Sequence, residues 1–386
     1  MRGHVRKRGK KWCFVLDIGR DPKTGKRKQK WFSGFSTKKE AEKEMINKMN
    51  ELDKGTFISS SKLTFSEYLD NWLQDYAKGS VGPTTFQLYS TLIRTHIIPS
   101  LGAITLEQLQ APHIQRFYNN MLEKGRIDGN GGVSPAYIQR IHSVLRRALG
   151  HAVKWQLLTR NVALLTEPPK VRKKEITTFE IEEVKQFLTH SKDDRLYIAF
   201  VFAITTGLRR GEILGLRWKD INMETNTASI RKNLVLVKGK PTLQEPKTNG
   251  SVRLITLPSM IMQVLKDHKK VQNQEKSQAG EAYQDNGLII ATSFGTPVDP
   301  TNLVRSFKRI LKVSGLPNIR FHDLRHTHAT LMLKQGEHPK IVSERLGHSN
   351  TRITMDIYSH VLPNMQQEAV DRFEKMLLRD RENEKI

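Results

Sequence analysis

The sequence predicts a multidomain protein, mainly α with small β-sheets. An N-terminal three-stranded sheet plus helix is followed by a helical domain and then by a larger mixed α+β domain. Three observations predict this. At 386 residues the chain exceeds one ordinary hydrophobic core. Its N-terminal stretch alternates apolar and polar side chains with a period of two, whereas most of the remainder repeats at helical spacing. Two polar stretches divide it: Gly55 to Lys62, with Ser59, Ser60 and Ser61, and the segment that begins at Pro168-Pro169. The expected domains are 1–55, 62–168 and 175–386.

In the first domain Trp12, Phe14, Leu16 and Ile18 alternate along one strand. Asp21 to Gly25 is a turn, Lys26 to Phe32 a second strand crowded with cations, and Ser33 to Phe35 a short third one. Thr37 with Glu40 is a capping box that opens a helix to about Leu52, with Ala41, Met45 and Met49 on one face.

The second domain reads as four helices. Thr64 and Glu67 cap the first, whose stripe is Phe65, Leu69, Trp72, Leu73 and Tyr76. Gly79 to Pro83 breaks it, Thr84 to Ile97 forms the second, and Pro99 to Gly102 breaks again. Pro112 opens the third, with Ile114, Phe117, Tyr118, Met121 and Leu122 inward. Ser134-Pro135 opens the fourth, which buries Ile138, Ile141, Leu145, Ala148 and Ala152 and turns Arg140, Arg146, Arg147 and Lys154 outward. The loop Gly125 to Gly132 reads as a flexible connector, with a DNA contact as the alternative.

The third domain starts at a helix capped by Thr177 and Glu180. An apolar helix from Leu196 stops at Gly207, and a second follows with Ile213, Leu214 and Leu216. Asn226 to Ile230 and Asn233 to Val237 are short strands, and Asn249-Gly250 signals a hairpin within Thr242 to Leu257. Pro258 opens a helix over Met260 to Val271. A polar loop from Gln272 to Gly287 leads to a strand, Leu288 to Thr292, a turn at Phe294 to Pro297, and a helix over Thr301 to Val313 that carries Arg305, Lys308 and Arg309. Beyond residue 358, Pro363 to Leu378 reads as an amphipathic end helix.

Composition narrows the partner. The 64 Lys and Arg outnumber the 39 Asp and Glu, for a net charge of +25, and residues 1–50 hold 16 of the cations against 5 of the anions. Such a balance makes nucleic acid the default partner, ahead of a merely solvated basic surface or an anionic membrane. Candidate contacts are Lys26, Arg27, Lys28 and Lys30 in the sheet, Arg146 and Arg147 in the helical domain, Lys170, Arg172, Lys173 and Lys174 in the linker, and Arg210 in the last domain. No apolar run suggests a membrane span or a secretory signal, and Cys13, the single cysteine, excludes an internal disulfide or a cysteine metal cluster. A cytoplasmic protein is expected.

Chemistry concentrates between Phe321 and Tyr358. His322 and Arg325 are three residues apart on one helix and can share a ligand. Gly336, Pro339 and Gly347 delimit two short helices, His348 follows the second stop, and Tyr358 stands among polar neighbours. A tyrosine hydroxyl, with a pKa near ~10, needs cationic or basic neighbours to attack anything, and guanidinium groups match the oxygens of a phosphodiester. Upstream, Arg209 and Arg210 follow the Gly207 stop, and Glu212 is spaced to hold Arg209.

His-x-x-Arg, Leu346-Gly347-His348, Tyr358 and Thr206-Gly207-Leu208-Arg209-x-x-Glu212 together resemble the motifs of the tyrosine recombinases, the phage integrase family. The resemblance implies a site-specific DNA recombinase that cuts and rejoins double-stranded DNA through a 3′-phosphotyrosyl link at Tyr358. It assigns Arg209, Arg325 and His348 to the phosphate oxygens, Glu212 to the orientation of Arg209, His322 to acid/base exchange with Tyr358, and Lys247 to protonation of the leaving 5′ oxygen. It further implies an arm-type DNA-binding domain whose sheet enters the major groove, a core-binding helical domain, a homotetramer at the synapse, and DNA-bending and directionality proteins as partners. Neither metal nor nucleotide cofactor is required, and the setting is the nucleoid of a bacterial host.

Three other readings compete. His322, His326, His328 and His348 could form a zinc site, although Asp323 stands where zinc peptidases have Glu and Arg209, Arg325 and Tyr358 would be left without roles. A binding-only regulator would not need the catalytic set. A type IB topoisomerase would share the chemistry but not the N-terminal module.

Overall fold

The computed structural model describes residues 3–20, 25–53, 63–172, 176–245, 252–348, 350–358, 370–371 and 373–374. The chain divides into two compact units, Met1–Arg172 and Lys173–Ile386. The division falls within the basic stretch that follows Pro168-Pro169.

In the first unit, β1 (Gly3–Arg8), β2 (Lys11–Arg20) and β3 (Arg27–Phe35) form an antiparallel sheet in that order. Phe14 and Leu16 of β2 are fully buried with Ala41 of α1 (Lys38–Asp53), where Met45 and Met49 add to the cluster. The Thr37 hydroxyl accepts the Glu40 N–H at 3.2 Å, and Glu40 reaches back to the Ser36 N–H at 3.0 Å. The expected membership of the sheet is corrected. Gly3–Arg8 supplies the first strand, and the segments expected at Lys26 to Phe32 and Ser33 to Phe35 belong to one strand. Val5 is the sole large apolar residue of β1, so the strand gives almost no alternation signal.

The helical part begins with α2 (Phe65–Trp72), N-capped by a reciprocal Thr64–Glu67 box. A wide turn at Leu73–Ala77, closed by the Lys78 N–H on the Leu73 carbonyl, carries α2 into α3 (Lys78–Ser80). Likewise α4 (Pro83–Leu92) continues through a wide turn at Ile93–Ile97 into α5 (Ile98–Leu101). Two expected breaks are thereby displaced: helix persists past Gly79 and past Pro99. Pro99 lacks an N–H and would crowd the carbonyl four residues back; the wide turn ahead of it absorbs that mismatch. Then come α6 (Ala111–Lys124) and α7 (Pro135–Lys154), whose expected inward residues are buried except Leu122, which is 40% exposed. The Tyr68 hydroxyl donates to the Ala148 carbonyl at 2.6 Å, and the side chain of Gln139 donates to the Pro169 carbonyl at 3.0 Å, which seats the start of the linker on the bundle.

The second unit opens with α8 (Ile181–Ser191), capped by Glu180 and Glu183, so the helix starts three residues after the expected cap. The hydroxyl of Thr327 accepts the Phe179 N–H and holds this entry extended. Next are α9 (Tyr197–Thr206), buried over nearly its whole circumference, and α10 (Arg210–Leu214). β4 (Ile221–Asn222), β5 (Thr227–Ile230) and β8 (Arg253–Thr256) form one sheet, while β6 (Asn233–Val237) and β7 (Lys240–Gln244) form a separate hairpin. The tight turn therefore lies at Lys238-Gly239, both with positive φ, and not between the strands flanking Asn249-Gly250, which pair with different partners. Asn249-Gly250 itself lies outside the described residues.

α11 (Ser259–Ala279) runs eight residues beyond its expected end at Val271. The buried Gln272 anchors the extension: its side chain accepts from Trp218 Nε1 at 2.7 Å and donates to the Leu288 carbonyl at 3.0 Å. The strand expected at 288–292 is a buried irregular segment with single bridges, Arg217 to Leu288 and Ala291 to Pro297. α12 (Pro300–Ser314), α13 (Asp323–Lys334), α14 (Pro339–Leu346) and α15 (Thr351–Tyr358) complete the unit. Phe200, Phe187, Phe307 and Phe321 pack edge to face in sequence through its core. The expected end helix over 363–378 lies outside the described residues except at 370–371 and 373–374, which are helical.

Candidate active site

Two glycine helix stops and one helix start build the site. Gly207 ends α9 with φ +64°, so the chain reverses and delivers Arg209 as the N-cap residue of α10. Gly347 ends α14 with φ +67° and is followed directly by His348. His322 caps α13 and Arg325 lies in its first turn, which places the pair beside the Gly207 corner.

The two arginines are cross-tied. Arg209 donates through Nη1 to Glu212 at 2.8 Å and through Nη2 to the Gly347 carbonyl at 3.1 Å. Arg325, 3% exposed, donates through Nη1 to the Gly207 carbonyl at 2.7 Å. Each guanidinium is thus held by a main-chain carbonyl, which fixes its direction, and the one carboxylate nearby, Glu212, is shared between Arg209 and Arg253. Burial raises the Glu212 carboxyl, but Arg253 and Arg209 more than offset this and leave it below its ordinary value. Glu212 is ionised at neutral pH.

The histidines sense this positive field. His348 is pushed down to about 4 by burial and then by Arg325 and Arg209. His322 is lowered by the same sequence of causes, burial and then Arg325. Both are neutral imidazoles at physiological pH. His348 Nδ1 lies 2.8 Å from the buried Thr354 hydroxyl; if Nδ1 accepts, the ring proton sits on Nε2, where it can donate to an anion. Arg209, His322, Arg325 and His348 are therefore brought together. Tyr358 is the last residue of α15, ten residues after His348. Lys247 lies outside the described residues, in the segment immediately before β8.

Sequence reasoning missed four supporting residues: Arg253, Arg345, His328 and Thr354. Arg253 forks onto both Glu212 oxygens at 3.2 and 3.0 Å and donates Nε to the Arg345 carbonyl at 2.9 Å. Its period-two phase with the buried Ile255 and Leu257 pointed inward and could have revealed it. Arg345 laces α14 to the Thr205 and Thr256 carbonyls and to His328 Nε2. His328 also bonds the Ile204 carbonyl at 2.9 Å, so both its nitrogens are committed and the histidine set weighed above as a zinc site loses that member. Among the described residues no group of three or more His, Cys, Asp or Glu side chains could hold a metal ion.

The candidate DNA contacts divide. Arg27 pairs with Asp17, and Lys30 is half-buried opposite Leu16 on the face covered by α1, where burial lowers its pKa. Lys26 and Lys28 are exposed. On the face opposite α1, Arg6 stacks over the exposed Trp31 at 4.0 Å, with His4 and Gln29 in the same phase. In the helical part, Arg146, Arg147, His151 and Lys154 line a hollow of about 690 Å³, and Arg147 is pinned by the Tyr89 and Tyr76 hydroxyls at 3.0 and 3.2 Å. Lys170, Arg172 and Arg210 are exposed, and Lys173 and Lys174 lie outside the described residues. No helix among the described residues is long and apolar enough to cross a membrane.

The chain is similar to known proteins over most of its length. The phage integrase family pattern matches residues 174–365, a phage integrase N-terminal SAM-like domain matches 64–122, and an arm DNA-binding domain matches 4–52. The chain is 34% identical to a XerC-like tyrosine recombinase of Caldanaerobacter subterraneus subsp. tengcongensis, over 95% of this chain and 96% of that protein. In fold it is similar to the Tn1549 transposon integrase solved with a circular-intermediate DNA, with TM-score 0.67, 21% identity, and coverage of 81% of this chain and 99% of that one. It is also similar to a lambda integrase tetramer solved on a Holliday junction, with TM-score 0.55, 22% identity, and coverage of 90% and 96%.

Proposed function

The chain belongs to the phage integrase family, and from that premise we propose that it is a tyrosine recombinase whose Tyr358 attacks a DNA phosphate held by Arg209, Arg325 and His348. The observation that carries this reading is the crossed pair of arginine–glycine bonds, which holds two guanidiniums close to the neutral His348 imidazole. In the reaction the tyrosine oxygen bonds to phosphorus as the bond to the 5′ oxygen breaks. His322 receives the tyrosine proton and Lys247 gives one to the leaving oxygen. Arg209 and Arg325 bind the non-bridging oxygens, where charge gathers in the transition state, and His348 adds a neutral donor. The energy of the broken phosphodiester is kept in the phosphotyrosyl link, so a 5′ hydroxyl from another strand can reverse the step and complete exchange. No metal takes part.

The chain acts in three parts with boundaries near 55, 62, 168 and 175. The arm domain reads DNA with the sheet face carrying Arg6 and Trp31, the helical domain grips core DNA through Arg146, Arg147 and the basic hollow, and Arg210 and the cations from Lys170 to Lys174 follow the backbone. Four copies assemble at the synapse, as lambda integrase does on a Holliday junction, and DNA-bending and directionality proteins on the bacterial nucleoid set the direction.

The test uses a nicked duplex carrying the sequence that the full chain selects from a random pool, incubated in EDTA and analysed after denaturation. A covalent protein–DNA adduct with wild type and none with Tyr358→Phe is expected. An adduct that persists in Tyr358→Phe, or one that EDTA abolishes, overturns the assignment.

A further inference from the structure

Arg253 is a largely enclosed cation beside the site, with 9% of its side chain accessible, and it adds to the positive field that lowers His348. Three of the Arg253 bonds reach two elements. It grips both oxygens of Glu212 and donates Nε to the Arg345 carbonyl near the end of α14. It also lies flat beneath Gly347: a Cβ built there would meet Nη1 at 2.8 Å and Cζ at 2.9 Å. The two groups that hold the Arg209 side chain are the Glu212 carboxylate and the Gly347 carbonyl. Both rest on Arg253.

We propose that Arg253 is a positioning residue for strand cleavage, which aims Arg209 and the loop of His348 by clamping Glu212 and Gly347 from below. Charge and shape both favour the role. One buried carboxylate faces two guanidiniums, so the cluster keeps a net positive charge; without Arg253, Glu212 would collapse onto Arg209 alone and cancel it. Only a planar fork can bridge both carboxylate oxygens while lying flat under a glycine. Arg253 also opens β8, directly after the segment that carries Lys247, so one side chain ties the ends of three motif-bearing segments. The inference rests on the cleavage reading above.

Arg253→Gln and Arg253→Lys are compared with wild type for DNA affinity, thermal unfolding, and the single-turnover rate of adduct formation on the same nicked duplex. Arg253→Gln is expected to bind DNA within about threefold of wild type yet form adduct roughly 100-fold more slowly, as expected for a reacting group set off its line by a fraction of an ångström to an ångström. Arg253→Lys, which keeps the charge but loses the fork, recovers part of that rate. A wild-type rate in Arg253→Gln, or a loss accounted for by DNA affinity, overturns the proposal. If Arg253→Gln melts below the assay temperature, Arg253→Lys decides: about a tenfold slower adduct at unchanged affinity supports positioning, and an unchanged rate refutes it. Tyr358→Phe in the same series separates the two ideas, because an adduct there would displace the nucleophile and still leave the Arg253 rates readable.

Discussion

Gly207→Ala tests whether the corner before Arg209 is set by backbone conformation, by packing, or by both. The corner has φ +64°, and a non-glycine residue in that region costs roughly 1–2 kcal/mol. A Cβ there would also meet His328 Cδ2 and Leu346 Cδ2 at 2.6 Å each. Both neighbours are buried, so the strain of overpacking adds about 1–3 kcal/mol. The sum is a loss of about 2–5 kcal/mol in urea unfolding. Gly315 ends α12 in nearly the same conformation, φ +68°, with nothing within 4 Å of a built Cβ. Gly315→Ala therefore carries the conformational cost alone, and the difference between the two variants reads the packing cost directly. A functional consequence follows, because the Gly207 carbonyl receives Arg325. Gly207→Ala slows adduct formation even at a temperature where it is fully folded, and Gly315→Ala does not. Equal losses of stability in the two variants would refute the packing calculation, and a wild-type cleavage rate in folded Gly207→Ala would refute the link to Arg325.

Two further outcomes are expected. Burial, followed by Arg345, pushes His328 down to about 3, so between pH 6.5 and 3 the unfolded chain binds a proton that the folded chain refuses, and stability falls as pH falls through that window. At pH 5 this histidine alone costs roughly 2 kcal/mol relative to neutral pH, so His328→Asn, which retains a donor for the Ile204 carbonyl, should flatten the acid limb of a urea-unfolding profile by about that much; an unchanged limb places the proton elsewhere. In the arm domain, Arg6→Ala should weaken DNA binding and lower the salt slope by about one, whereas Lys30→Ala, on the face covered by α1, should leave the slope within experimental error; filter-binding titrations at several salt concentrations decide, and the opposite order would turn the sheet over.

Much of this molecule is legible in the sequence because its signals are local. Thr64 with Glu67, Ser134-Pro135 and the stops at Gly207 and Gly347 mark helix ends through bonds made within a few residues. The motif residues follow those stops, so their positions can be read with them. What escapes is set at longer range. Lys238-Gly239 is a weaker turn signal than Asn249-Gly250, yet β7 finds its partner in β6 while β8 crosses to β5. Gln272 looks like loop composition until Trp218 and the Leu288 carbonyl satisfy its amide. The alternation with Ile255 and Leu257 turns Arg253 inward, but nothing nearby in sequence shows that Glu212 lies opposite it. β1 is hidden by its own charge.

The anchoring of both candidate phosphate-binding arginines on main-chain oxygens has an evolutionary corollary. A peptide carbonyl cannot be substituted by a codon change and does not titrate, so neither anchor can drift directly, in sequence or with pH. Specificity can then be remodelled freely in the DNA-reading surfaces while the aim of the chemistry is inherited with the helix stops. The vulnerable positions in such a lineage are the glycines at the helix stops.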